Sequence, residues 1–363
     1  MAAGQGAGGR VRARDLGLPF SGLTGAANAI TDVPGVAVGH TTLICGEGAL
    51  RVGEGPVRTG VTAILPRRED GRPAPVWAAM HSFNGAGELT GSHFVAEYGW
   101  FLGPVCLTGT HNVGVVHAAS LDWFLGRHGR AMGPGFWHLP IVGETWDGFL
   151  NDSHGGHLKP EHVRAALDGA RSGPVAEGAV GGGTGMSCYQ FKAGIGTASR
   201  RVRAAGDWTV GALVQANFGR REEFRPFGRP WSSRPAATPE GKPGEGSIIG
   251  IVATDAPLLP HQLQRVARRA AVGMARTGTS GNNGSGDIFL AFSTANALPL
   301  DPERGVTALD HLPNEQLNPV FAGTADAVEE AILNAIVAGG RPGGRGRPPR
   351  GGGRPAAGGG GGG

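Results

Sequence analysis

Ser247 follows Gly246 at an abrupt change in the chain, where the Pro-, Gly- and Arg-rich run from Arg220 to Gly246 gives way to the apolar SIIGIVATDAPLLP. A serine opening a buried strand, behind a loop with little capacity for regular structure, suits a chain that cuts itself. The Ser247 hydroxyl attacks the Gly246 carbonyl in an N-to-O acyl shift. A glycine there leaves the carbonyl unshielded and tolerates a strained backbone. Hydrolysis then frees an α-amine, with a reference pKa of about 8, beside the same hydroxyl. This is the terminal-amine variant of nucleophilic catalysis. On the dipeptide alone a plain loop-to-strand boundary is the commoner reading, so the other polar groups decide.

Three such groups stand out. Ser285 and Asp287 lie in the Gly-rich GNNGSGD before an apolar run; a second hydroxyl and a carboxylate in one tight turn can carry protons between amine, hydroxyl and leaving group. The competing reading is an ordinary Asx or Ser/Thr turn. Asn217, in VQANFG, offers an amide donor to the oxygen that gains charge in acyl transfer, a contact worth about 2.7–4 kcal/mol. A strand-end asparagine is otherwise a turn former. Glu144 with Trp146, in ETWDG, sets a carboxylate beside an aromatic ring and suits a substrate ammonium, although a surface turn would look the same.

The order of the blocks is more specific than any one of them. ITDVPGVAVGHTTL (from Ile30), GVTAILPR (Gly60), NGAGELTG (Asn84), ETWDGFLND (Glu144), FKAGIGTASR (Phe191), VQANFG (Val214), GSIIGIVATDAPLLPHQL (Gly246) and GSGDIFLAFSTAN (Gly284) follow one another. Together they resemble the DmpA-type aminopeptidases and D-amino-acid esterases/amidases, which include the β-peptidyl aminopeptidases. The resemblance runs from Arg12 to Ala338. It implies an α+β fold, a four-layer α/β/β/α sandwich, self-cleaved into an α chain 1–246 and a β chain that begins at Ser247. It implies Ser247, Ser285 and Asp287 as catalytic groups, Asn217 as oxyanion donor and Glu144 in the substrate pocket. The family often has Tyr where Trp146 stands, so the ring is kept and the phenol lost. Small peptide, amide or ester substrates, no cofactor, and homo-oligomers (tetramers of αβ units) are implied as well.

The elements that must position these residues are partly legible. Val/Ile/Leu runs between Gly and Pro predict strands at VPGVAVGHTTLI, GVTAILP and PVWAAM, then at TASRRVRA and WTVGALVQAN. Helices are expected over Val113 to Leu125 and Pro160 to Ala170. Past Ser247 the pattern predicts strand IIGIVAT, a helix over PLLPHQLQRVARRAAVGMART with Leu259, Leu263, Val266, Ala270 and Met274 on one face, and strand GDIFLAFSTA. The arginines Arg265, Arg268 and Arg269 are expected on that helix's wet face. A last helix is expected over Ala325 to Ala338, and a mobile loop over Arg220 to Gly246. Blocks of strands and helices favour layered packing over strict alternation.

Composition bounds the alternatives. With 363 residues, 40% hydrophobic and 17% charged, a large core can form. The charge of +4 is more than accounted for by five tail arginines, Arg341, Arg345, Arg347, Arg350 and Arg354, so the body has no nucleic-acid footprint. A non-catalytic RNA-associated role would rest on that Arg/Gly tail alone. Residues 339–363 are expected to be disordered and depart from the family, which continues with an ordered segment; a frameshifted or truncated end is the expected cause. Cys45, Cys106 and Cys188 form no CxxC and are expected as core filler. The twelve histidines lack HExxH spacing, which speaks against a metal enzyme. GGGTGMS lacks the GK[ST] ending of a phosphate loop. Neither a membrane span nor a secretory h-region is read, so a cytoplasmic location is expected. Acyl transfer of the ornithine acetyltransferase type is the catalytic alternative, but those enzymes use threonine where Ser247 stands.

Overall fold

In the computed structural model, residues 11–67, 73–231, 246–298 and 305–339 are described. Strand β11 (Ser247–Thr254) is buried at every position, and the pleat sends its side chains alternately to two faces. Ile249, Ile251 and Ala253 enter one core, while Ile248 and Val252 enter another. An element buried on both faces must lie inside a stack of layers.

The chain builds that stack from two sheets. The larger has the order β4 (Trp100–Phe101), β3 (Val76–Gly85), β12 (Gly286–Ser293), β11, β10 (Asp207–Asn217), β9 (Gly194–Arg203). The smaller has the order β1 (Ala37–Cys45), β2 (Val57–Leu65), β5 (Val105–Gly109), β6 (Ile141–Thr145). Leu107, Leu213, Ile249 and Leu290 fill the space between them. Helices α4 (Pro260–Arg276) and α5 (Asn318–Gly339) cover the outer face of the larger sheet through Leu263, Val266, Val328 and Ile332. Helices α2 (Val113–Met132) and α3 (Pro160–Asp168) cover the smaller sheet through Val116, Ala119, Val163 and Leu167. The result is the expected α/β/β/α sandwich.

Strands β11 and β12 are parallel neighbours, so the chain must cross over between them, and α4 is that crossover. Pro260 opens α4 at its first turn and the Gln262 side chain accepts the Leu259 N–H at 3.0 Å, which fixes where the helix starts. The register then places Ser247 beside Gly286 on one side and Asn217 on the other.

Several expectations are corrected. Helix α2 runs to Met132 rather than Leu125, passing through Gly126 and Gly129, because each glycine costs only about 1 kcal/mol and His128, between them, packs on Trp123 and Phe124. Helix α5 starts at Asn318, with Pro319 in its first turn. Strands β5 and β6 and the short α1 (Ser92–Tyr98) were not expected. VCLTG and IVGET are five-residue runs buried on both faces, so they carry no alternation to detect. Cys45 is exposed at the end of β1, whereas Cys106 and Cys188 are buried. Arg268 is exposed, and Arg265 and Arg269 are half-buried, each lying over the Phe321 ring. The run after Arg220 is not all loose: Phe224 is buried against Tyr189 and packs on Trp231. Residues 232–245 and the tail from 340 onward lie outside the described residues.

The arm that precedes β1 is tied down by buried charge. Glu330 of α5 is fully buried and accepts Arg14 Nε at 2.7 Å, Arg200 Nη2 at 2.7 Å and Asn28 Nδ2 at 2.6 Å. The pairing keeps its carboxyl below the usual range, with the Arg14 hydrogen bonds the largest of the favourable contacts that outweigh burial. Arg12 Nε meets Glu177 at 2.8 Å nearby.

Candidate active site

Ser247 is the first residue of β11 and is buried. Its Oγ accepts the Gly286 N–H at 3.2 Å. Gly246 presses on the neighbouring strand: a Cβ there would fall 1.8 Å from the Asn217 carbonyl oxygen. No residue other than glycine fits before the serine, a steric demand separate from the carbonyl accessibility argued from the sequence.

Asn217 ends β10, level with Ser247. Its Oδ1 accepts the Ser187 N–H at 3.0 Å and its Nδ2 donates to the Trp146 carbonyl at 2.8 Å. Because an N–H donor and a carbonyl acceptor leave no choice, the amide orientation is determined, with its nitrogen toward the Trp146 loop.

Ser285 and Asp287 are also brought here. Ser285 Oγ donates to Asp287 Oδ1 at 2.6 Å, and the residue between them supplies the N–H on Ser247. Burial pushes the Asp287 carboxyl up to about 6, although the Ser285 hydroxyl and the Ile248 N–H hold it back. Asp287 Oδ2 is buried without a hydrogen-bond partner. By strand register Asp287 is level with Ile248, one position past Ser247, and a carboxylate oxygen without a partner is suited to take and return a proton.

Glu144 lies at the end of β6 rather than in a surface turn, and only 5% of it is exposed. Its Oε1 accepts the Glu88 N–H at 3.0 Å and its Oε2 accepts the Thr110 hydroxyl. Burial raises its carboxyl despite these bonds. Gly87 lies between it and the start of β12: a Cβ on Gly87 would lie 3.3 Å from Glu144 Oε1 and 3.1 Å from Gly286 Cα. The carboxylate and the start of β12, which is paired with Ser247, therefore both border Gly87. Trp146 is 44% exposed, and its carbonyl also holds Asn217.

Sequence reasoning missed the residues that hold these groups. Thr110 and Gly87 carry no local signal. Asp147 is buried with Oδ2 accepting the Thr59 hydroxyl at 2.7 Å, and Asn112 Nδ2 donates to Thr59 at 3.0 Å. Gln215, two positions before Asn217, could have been found from strand alternation. Among the described residues no group of three or more His, Cys, Asp or Glu could hold a metal ion. A cavity of about 560 Å³, lined by Phe94, Tyr98, Trp100 and Trp137, opens near the start of β6 rather than at Ser247.

A serine opening a central strand of an α/β/β/α sandwich is an arrangement that the N-terminal nucleophile hydrolases share. The chain belongs to peptidase family S58, whose profile matches residues 28–348. It is 52% identical over 343 residues to a β-peptidyl aminopeptidase of Sphingosinicella microcystinivorans, covering 90% of this chain and 85% of that protein. It superposes on an L-aminopeptidase D-Ala-esterase/amidase from Ochrobactrum anthropi with a TM-score of 0.85 and 47% identity, covering 90% of each chain. That structure is described as a prototype for the serine aminopeptidases and a new variant of the Ntn hydrolase fold. A Burkholderia sp. β-aminopeptidase superposes with a TM-score of 0.82 and 47% identity, covering 90% of this chain and 92% of that one. The chain is a hydrolase, a serine aminopeptidase of that family, and neither the acyltransferase reading nor the RNA-associated one is favoured.

Proposed function

We propose that the chain matures by cutting itself between Gly246 and Ser247 and then releases N-terminal amino acids from small peptides, amides or esters. The observation that carries this reading is the packing at the junction: Ser247 Oγ is held by the Gly286 N–H, and Gly246 is wedged against Asn217. In maturation, Ser247 Oγ attacks the Gly246 carbonyl. The C–N bond breaks as the ester forms, and water hydrolyses the ester to leave a Gly246 carboxylate and a free Ser247 amine. Asp287, with its unpartnered oxygen and raised pKa, takes and returns the proton in the uncut chain.

In turnover the Ser247 amine takes the Oγ proton while Oγ attacks the substrate carbonyl. The second hydrogen of Asn217 Nδ2 stabilises the oxyanion, while the Gly286 N–H stays on Ser247 Oγ. The tetrahedral intermediate collapses as the ammonium gives its proton to the leaving group, and water releases the acyl group from Ser247. Glu144 pairs with the substrate ammonium. The Ser285 hydroxyl keeps Asp287 oriented.

Cleavage would not release the pieces. In the larger sheet β11 and β12 are hydrogen-bonded between β10 and β3, so the strands of the two chains interleave. Assembly into tetramers of αβ units extends the reading, and the exposed Tyr98 and Trp137 beside the aromatic cavity support an assembly surface; sedimentation as a monomer would end it. A cytoplasmic location is likewise proposed. No helix among the described residues is long and apolar enough to cross a membrane.

The test is intact mass spectrometry of the wild type beside Ser247→Ala. Fragments 1–246 and 247–363 in the wild type, with one uncut chain in the variant, are expected. A wild-type chain that stays whole, or is cut elsewhere, removes Ser247 as the self-processing nucleophile.

A further inference from the structure

Two side chains reach from β10 across the sandwich to the end of the smaller sheet. Asn217 is one. Gln215, two residues earlier on the same face, is the other, and it is fully buried. Its Nε2 donates to the Thr108 carbonyl at 2.8 Å and to Thr145 Oγ1 at 2.9 Å. The carbonyl can only accept, which fixes the amide orientation. Its Oε1 is left buried with no hydrogen-bond partner, against Gly182, where a Cβ would lie 2.2 Å away. A buried amide with an orphaned oxygen is costly, and an apolar side chain of the same length would avoid that cost. Packing alone does not account for a glutamine here.

Its two partners explain its place. Thr145 follows Glu144, and Thr108 lies two residues before Thr110, whose hydroxyl holds Glu144. Gln215 thus ties both strand ends that carry the ammonium anchor to the strand whose last residue, Asn217, is level with Ser247. The span from Glu144 to Ser247 must match the distance from a substrate's ammonium to its scissile carbonyl. An α-amino acid places one carbon between them and a β-amino acid two, a difference of about 1.5 Å.

We propose that Gln215 is a specificity-determining positioning residue: it sets the span between Glu144 and the Ser247–Asn217 end, and so the relative fit of α- and β-aminoacyl substrates. The proposal rests on the roles given to Glu144 and Ser247 above. Without the two hydrogen bonds, the end of β6 is no longer held to β10, and the span relaxes toward the longer substrate.

The experiment compares wild type, Gln215→Met and Thr145→Val, each first checked for cleavage at Gly246, on the para-nitroanilides of L-alanine and β-alanine. In Gln215→Met the ratio of kcat/KM for β-alanine to that for L-alanine should rise about tenfold, within what one methylene is worth in a pocket. The change should lie mainly in KM. Thr145→Val, which removes one of the two links, should move the ratio the same way by less, and it stands alone should Gln215→Met fail to fold. A common loss on both anilides, or an unchanged ratio, overturns the role of Gln215. A wild-type chain that cuts at Gly246 yet hydrolyses neither anilide overturns the functional reading beneath it.

Discussion

Gly246→Ala would test whether the junction is held by packing. The new Cβ would fall 1.8 Å from the Asn217 carbonyl oxygen, 2.9 Å from its carbon and 3.2 Å from Phe218 Cα. An ordinary C···O approach is about 3.3 Å, so β10 and β11 must part by roughly 1.5 Å where Asn217 meets Ser247. Overpacking of this kind costs about 1–3 kcal/mol in stability, which a chain of this size survives. Misplacing reacting groups by about 1 Å costs on the order of 10²-fold in rate, so self-cleavage should slow by at least that much. A time course of intact mass on freshly purified protein reads the rate directly. Gly250→Ala is the control: its Cβ would lie 2.6 Å from Phe289 Cδ1 on the helix-facing side of the same strand, so it overpacks β11 away from the junction. It should lose comparable stability and mature normally. Maturation of Gly246→Ala at the wild-type rate, or equal slowing in Gly250→Ala, would refute the argument.

Three further outcomes are expected. Asn217→Ala in matured enzyme should lower kcat by about 10²–10³-fold with a smaller change in KM, the signature of a contact made in the transition state; a change confined to KM contradicts the oxyanion role. Self-cleavage of the uncut chain should speed up as pH rises through about 6, where Asp287 ionises, and Asp287→Asn should lose that dependence. A raised folded pKa has the matching sign in stability: Asp287 favours the folded chain fully below its ordinary pKa, and that contribution is lost as pH rises through about 6. Glu330→Gln removes the charge that Arg14 and Arg200 share, and breaking such a buried pair costs about 3–5 kcal/mol in urea unfolding. The wild-type contribution is present above the ordinary carboxylate pKa and lost as pH falls through the lowered value; a variant as stable as wild type removes the clamp from the account of the fold.

The sequence alone singled out Ser247, Asn217, Ser285 and Asp287 as one candidate site because chemistry and local pattern coincide there. Ser247 sits at a composition break, Asn217 at a strand end, and Ser285 with Asp287 in a glycine turn, and neighbouring strands bring all of them together. The layers were legible for a similar reason, since β10, β11 and β12 are long and flanked by breakers. Strands β5 and β6 were not, because short runs buried on both faces show no period. With them went the strand that carries Glu144: the sequence singles out the carboxylate for the substrate ammonium, but its burial on a strand was not legible. The GGG run at Gly181 reads as a loop motif, yet the structure shows why it has no side chains: a Cβ on Gly182 or Gly183 would strike the backbone of Leu107 or Ile195 within 2.5 Å. Only tertiary structure could decide these points. The partners of Glu144 and Gln215 come from strands far apart in the chain, and nothing local in Thr110, Thr108 or Thr145 states which carboxylate or amide the sandwich will set against them.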